Sequence, residues 1–216
     1  MDKGSSAAAI GDALRHGKQI IESVERLMVE AQKSGSEAAQ LIAAGKIHEV
    51  RQAFQTARSL YEHALHADPE AFEASVRLAI LLQKNGESRR SLAAAKALAA
   101  RNADFSFSDI SGRPRSLQTV LGDAYRDCGE SEAAAGSYRR ALKLQPADTH
   151  AASQLAVFLI DNGQVDAALD LAGKAMDKGG FEALNATAAL LANNPNRLPA
   201  IQGIVTSMVS RTAMHV

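Results

Sequence analysis

Tryptophan is absent from this 216-residue chain, aromatic residues make up only 4%, and there is a single cysteine, Cys128. One thiol forbids any intrachain disulfide, which excludes a secreted disulfide scaffold and makes a reducing, cytoplasmic setting the simpler expectation. Neither sign of charge is in excess, since 24 Lys and Arg face 24 Asp and Glu. That balance lacks the electrostatic footprint of a nucleic-acid binder, so no nucleic acid is expected as partner. No apolar run reaches the roughly 18 residues that a membrane span needs. The amino terminus breaks its apolar stretch at Gly11, Asp12, Arg15 and His16 before it attains signal-peptide length. With aromatic residues scarce and alanine abundant, the composition favours helices that approach closely through small side chains and disfavours sheet.

Chemistry-bearing motifs are equally sparse. Neither G-x-x-x-x-G-K-[ST] nor G-x-G-x-x-G occurs, so no backbone cradle for phosphate is expected. His63 and His66 stand three apart on an expected helix, near Glu62 and Asp68. Two ligands without a third and without a supporting shell do not make a metal site, and an exposed outer pair is the simpler reading. Cys128 precedes Gly129, and no histidine stands between His66 and His150. Lacking a sequence-near activating base, Cys128 reads as a small packed residue, not a nucleophile. Catalytic, cofactor and metal residues are therefore all expected to be none. The pairs Arg89-Arg90 and Arg139-Arg140 read as solvated outer faces of helices.

What the chain does contain is a repeated size pattern. From Leu121 to Pro146, the pattern is set by Leu121, Gly122, Tyr125, Gly129, Ala134, Tyr138, Ala141 and Pro146. A forward shift that carries Leu121 to Leu155 also carries Gly122, Tyr125, Gly129, Ala134 and Ala141 to Ala156, Leu159, Gly163, Ala168 and Ala175, but the copy is degenerate at Ala172 and Gly180, where Tyr138 and Pro146 would map. A longer backward shift, from Leu121 to Leu78, lands on Ala79, Leu82, Gly86, Ser91, Ala95 and Leu98. One more unit upstream, at the shorter spacing again, Ala57, Tyr61, Ala64 and Pro69 match the second half of the pattern. At the matched positions of the forward copy small stays small and large stays large, as expected when small positions let helices touch and large ones fill the adjoining gap. The longer shift exceeds the shorter by nine, and the excess falls in 102–113, NADFSFSDISGR, where the helical period breaks.

These residues resemble the tetratricopeptide repeat, a unit of about 34 residues. Leu121, Gly122 and Tyr125 match its Leu-Gly-x2-Tyr, and Ala134, Tyr138 and Pro146 its Ala-x3-aromatic and closing Pro, with Gln118 where the leading Trp would stand. The resemblance implies an all-α, right-handed superhelical stack of antiparallel helix pairs, about ten or eleven helices in all. The expected organisation is an N-terminal helical extension over 1–35, repeats over 36–69, 70–103, 114–147 and 148–181 with the insert at 102–113, and C-terminal capping helices over 182–216. In the first repeat Gly45 is read as a turn glycine, which starts the second helix near His48 and lengthens it by about two turns. Ahead of the repeats, Ile20, Ile21, Val24, Leu27 and Met28 form the apolar stripe of a leading helix. Phe181–Ala192 and, after the break at 193–196, Arg197–Arg211 are expected to be terminal helices.

In this family the first helix of each pair lines a concave groove. Carried onto this chain, the groove positions are Val76, Ile80, Gln83 and Lys84, then Thr119, Asp123, Arg126 and Asp127, then Ser153, Val157 and Ile160. His150 is expected to make a polar groove contact. Family members that grip a chaperone's carboxylate tail use Lys and Asn at successive groove positions; here those places hold Ile42, Lys46, Val76, Ile80, Thr119 and Asp123, and no such binding is expected. In the insert, Phe105 and Phe107 alternate with serines, so an extended chain puts both rings on one side. They serve either as a plug in the widened seam or as a hook on a ligand.

The resulting expectation is a protein-protein interaction module or adaptor that binds an extended peptide or partner segment of another protein, with no membrane partner. Two alternatives come from other classes. One is a self-assembling scaffold, a homodimer through the apolar terminal helix. The other is the non-catalytic regulatory part of a larger enzyme.

Overall fold

Helices dominate because alanine and other good helix formers fill the segments between glycine and proline breaks. The computed structural model describes residues 18, 21–29, 32–33, 35–164, 166–168 and 170–171. Among the described residues, complete helices are α1 (Glu37–Val50), α2 (Phe54–Ala67), α3 (Phe72–Lys84), α4 (Ser88–Arg101), α5 (Leu117–Asp127), α6 (Ser131–Leu144) and α7 (Thr149–Asp161). Between α4 and α5 lies a two-stranded hairpin, β1 (Ser106–Ser108) and β2 (Pro114–Ser116). Residues 21–29 are also helical. The expected terminal helices Phe181–Ala192 and Arg197–Arg211, and most of the second helix of the last repeat, lie outside the described residues, as does the chain before residue 18.

The described residues fall into two compact units: one runs up to Gly86 and takes in Ser108–Arg113, the other comprises Glu87–Phe107 and the chain from Pro114 onward. In the first unit α1 packs on α2 and α2 on α3. Links of three or four residues leave neighbouring helices little choice but to run antiparallel. The core of this unit gathers Ala38, Ala57, Tyr61, Ala64, Ala74 and Leu81. In the second unit α4 packs on α5, α5 on α6 and α6 on α7, around Ala134, Tyr138, Ala141, Ala151, Leu155 and Leu159.

The two cores share one device. Gly122 on α5 lies under the ring of Tyr138 on α6, and a Cβ at Gly122 would come within 2.6 Å of the ring. Gly45 on α1 lies under Tyr61 in the same way, and a Cβ there would collide with that ring. Gly45 is therefore a packing glycine inside α1, not a turn, and α2 begins at Phe54 instead of near His48. The turn itself falls at 51–53. Its left-handed position is occupied by Gln52, φ 58°, where the later turns carry Gly86, Gly129 and Gly163 at φ 72–82°. A glutamine in the place of the turn glycine conceals the turn from a glycine search.

The insert is extended at both ends, so among the described residues a short hairpin stands between the helices, with residues 114–116 in β2. One other expectation is corrected. In the leading helical stretch, Ser23 and Leu27 are buried, whereas Ile21 (59%), Met28 (50%) and Val29 (45%) are exposed. The buried side of that stretch is thus an i, i+4 strip centred on Leu27, rotated away from Ile21 and Met28.

Candidate functional site

In the first unit the first-helix face is built from α1 and α3. Lys46 and Glu49 lie three apart on α1, and Glu73, Arg77 and Lys84 recur at i, i+4 and i+11 on α3, so each set projects to one side. The carboxylate of Glu49, 1% exposed, accepts the hydroxyl proton of Tyr61 at 2.6 Å and the Lys84 ammonium at 3.1 Å. Arg77, with a side chain 2% exposed, stands 3.7 Å from Glu49 and donates to Glu73 at 3.2 Å. Lys46 closes the circuit with an ion pair to Glu73. Three cations thus meet two carboxylates. A buried charge survives only when it is paired and hydrogen-bonded, and each member here fixes its neighbours. Burial, with the charge of Glu49 beside it, pushes the Tyr61 hydroxyl far above its ordinary range, so it stays a donor.

The second unit carries the counterpart on α5, α6 and α7. Asp123 is 5% exposed. It accepts from Tyr138 Oη at 2.8 Å, from Arg115 Nη2 at 2.9 Å and from Arg126 Nη1 at 3.3 Å, and it pairs with His150 Nε2 at 2.8 Å. Burial alone raises the pKa of this carboxyl. His150, Arg115 and Arg126 outweigh it and hold Asp123 well below its ordinary value. Burial and the Asp123 charge raise the pKa of Tyr138 in turn.

The sequence-based groove residues divide into two groups. Val76, Thr119 and Ser153 are buried, at 0%, 0% and 1% exposure. They occupy the same position in three successive repeats. Thr119 donates to the Asp148 carboxylate, whose other oxygen caps α7 at the Ala151 amide, 2.9 Å away. Ser153 turns its hydroxyl back to the Thr149 carbonyl at 2.8 Å. Of the three, Thr119 ties α5 to the start of α7 and Ser153 bonds within its own helix, and all three lie beneath the surface instead of projecting from it. The second group remains accessible at least in part: Ile80 and Val157 are half-buried, the Arg126 side chain is 40% exposed and that of Lys84 34%. His150, 39% exposed, joins them through Asp123. Glu49, Glu73, Arg77, Arg115 and Tyr138 were not among the expected site residues. For Glu73 the signal was an acidic residue and a basic-type residue recurring at one and the same spacing, Lys46 with Glu73 and Asp123 with His150.

In the insert, the rings of Phe105 and Phe107 stack with centroids 6.1 Å apart, and Phe107 is buried at 9% exposure. Gln118, in the place of the family's Trp, is buried and donates to the Ala103 carbonyl at 3.0 Å. His63, His66 and the two Arg pairs are exposed. Among the described residues no three His, Cys, Asp or Glu converge on a common point, and no helix is long and apolar enough to cross a membrane.

The tetratricopeptide repeat family's sequence profile matches residues 8–205. Among solved structures, the chain is similar to TTC0263, a thermophilic tetratricopeptide protein of Thermus thermophilus, at 22% identity and a TM-score of 0.60, over 80% of this chain and 90% of that one. It is also similar to a MamA structure, at 18% identity and a TM-score of 0.51, over 82% and 95%. The same holds for MamA from Desulfovibrio magneticus RS-1, residue 41 to its end, at 20% and 0.50, over 82% and 95%. At such identities the likeness concerns the fold. No curated protein matches significantly. With a profile match across nearly its whole length, the chain belongs to the tetratricopeptide repeat family.

Proposed function

We propose that this chain is a non-catalytic interaction module whose first-helix faces bind an extended segment of another protein. The fold supports a protein-interaction module or scaffold in general. The observation that carries the finer reading is the pre-organisation of those faces: Arg126, His150 and Lys84 each hold a partly exposed donor group in place through a buried carboxylate, Asp123 or Glu49. A donor already fixed by its neighbours loses little side-chain entropy when a peptide carbonyl or carboxylate arrives. Half-buried Ile80 and Val157 beside them offer apolar contact.

The test is affinity purification of the intact protein, repeated with Arg126→Glu and Lys84→Glu. A specific protein enriched over a mock bait, and lost from both variants, supports the reading. Enrichment of nothing above the mock bait, or of the same protein undiminished from both variants, sinks it.

A further inference from the structure

The insert tip lies against the first-helix face of the first unit. The Ser108 carbonyl accepts from Arg77 Nη2. Ser108, Asp109, Ile110 and Gly112 line a cavity of about 320 Å³ together with Lys46 and Glu73 of the face and Arg26 and Leu27 of the leading helical stretch. Two features separate this contact from ordinary core packing. First, the space between tip and face is a partly open, mainly polar pocket instead of interlocked apolar side chains. Second, the tip needs nothing from the face to keep its own shape. Asp109 accepts from the Ser111 amide at 2.8 Å, the Ser111 hydroxyl at 2.6 Å and the Arg113 amide at 3.0 Å, while its own amide donates to the Arg113 carbonyl at 2.8 Å. A turn closed on itself can leave a wet surface without losing its internal hydrogen bonds.

We propose that the insert tip, Ser108–Arg113, is a displaceable internal occupant of the first unit's groove face. In the resting protein it covers Lys46, Glu73 and Arg77, and an extended partner segment gains that face by taking its place. The chemistry of the exchange is symmetrical. The tip offers Arg77 one backbone carbonyl, which any extended peptide also carries. The guanidinium is aimed in advance by Glu73 and Glu49, so tip and peptide compete for one fixed donor. The partner is thus a peptide in extended form with a free backbone carbonyl and small or polar side chains facing the cavity. This inference rests on the groove-binding reading above, and it adds that one of the two faces is closed by the chain itself.

The chain's own segment serves as the probe. A synthetic peptide of residues 105–116 is titrated calorimetrically into the unmodified protein and into a variant in which Ser108–Arg113 is replaced by Asn-Gly. The expected result is binding to the shortened variant at least tenfold tighter than to the unmodified protein. Equal binding to both, or none to a shortened variant with native circular dichroism, overturns the proposal.

Should the shortened variant not fold, the unmodified protein still decides. Acetylation of the Lys46 amine is followed at 0 and 1 M urea. A displaceable tip opens with little added surface, so the rate should change less than twofold. A rate that rises in parallel with global unfolding shows a tip that leaves only when the protein unfolds, and overturns the proposal. Neither measurement uses an outside partner. A chain that passes them but enriches no protein keeps its displaceable tip and loses the partner-binding reading.

Discussion

Lys46 on α1 forms an ion pair with Glu73 on α3, and in the second unit Asp123 and His150, at the same spacing in the chain, repeat that contact with the carboxylate on the first member instead of the second. The position three beyond the first member is exchanged as well, Glu49 in one unit and Arg126 in the other. What recurs between the units is thus a geometry, in which the carboxylate stands at either member of the pair.

That freedom has a limit that can be measured. Glu73 also holds buried Arg77, whose counterpart in the second unit is the neutral Gln154. Introducing the second unit's residue, Glu73→His, should therefore cost about 3 kcal/mol, because a buried guanidinium loses its nearest carboxylate. Arg77→Leu in the same background should cost less than the two single changes added together, by at least about 1 kcal/mol. Urea denaturation of the four proteins of this cycle gives the coupling. Strict additivity would mean that Glu73 does not hold Arg77.

The contact between Gly122 and Tyr138 predicts a second effect. An alanine methyl at residue 122 has no space beneath the ring, so Gly122→Ala should destabilise by about 1–3 kcal/mol despite the better helix propensity of alanine. Gly136 lies on α6 with open space around it. There the same change should stabilise by about 0.5–1 kcal/mol. Thermal unfolding of both variants distinguishes packing from propensity.

Much of this architecture was legible. The repeated size pattern located α3 to α7 and placed the insert, because helix-pair packing constrains side-chain volume more tightly than identity. Three things escaped for physical reasons. Gln52 adopts a left-handed conformation that sequence reading reserves for glycine, so the first turn was hidden and Gly45 was given its role. The strands of the insert hold three residues each, too few for a period-two pattern to register. Burial of Val76, Thr119 and Ser153 followed from contacts such as that of Thr119 on α5 with Asp148 at the start of α7, which no local spacing reveals. The charge circuits were visible only as unlinked residues until the fold brought them together.

Gln52 carries a prediction of its own. Left-handed backbone costs a side-chain-bearing residue roughly 1–2 kcal/mol, and glycine avoids that cost while losing some unfolded-state entropy. Gln52→Gly should raise stability by about 0.5–1 kcal/mol in urea denaturation. A loss would show that the Gln52 side chain contributes more than its backbone costs.

The stacked pair in the insert separates plug from hook. Phe107 is buried and Phe105 half-buried against it. Replacing both by serine should cost about 2–4 kcal/mol by loss of apolar burial, a fall in melting temperature of roughly 5–15 °C for a chain of this size. Unchanged melting with loss of the co-purifying protein would instead assign the rings to the partner.

Asp123 sets the acid limit of the second unit. Its pKa lies below the ordinary 3.8 because His150, Arg115 and Arg126 overcome the effect of burial. The folded state therefore holds this proton less tightly than the unfolded state. The stability it contributes is complete above the unfolded value and drains away as the pH falls from about 4 toward the lower folded-state value. Asp123→Asn removes that titration but leaves a buried neutral group among cations, so the variant should be less stable at pH 7 by about 2–4 kcal/mol. The gap between the two proteins should then narrow steadily as the pH drops below 4. Denaturation midpoints at pH 7, 5, 4 and 3 test the sign. A gap that stays constant across that range would mean the carboxylate's charge plays no part in holding Arg115, Arg126 and His150 on the face.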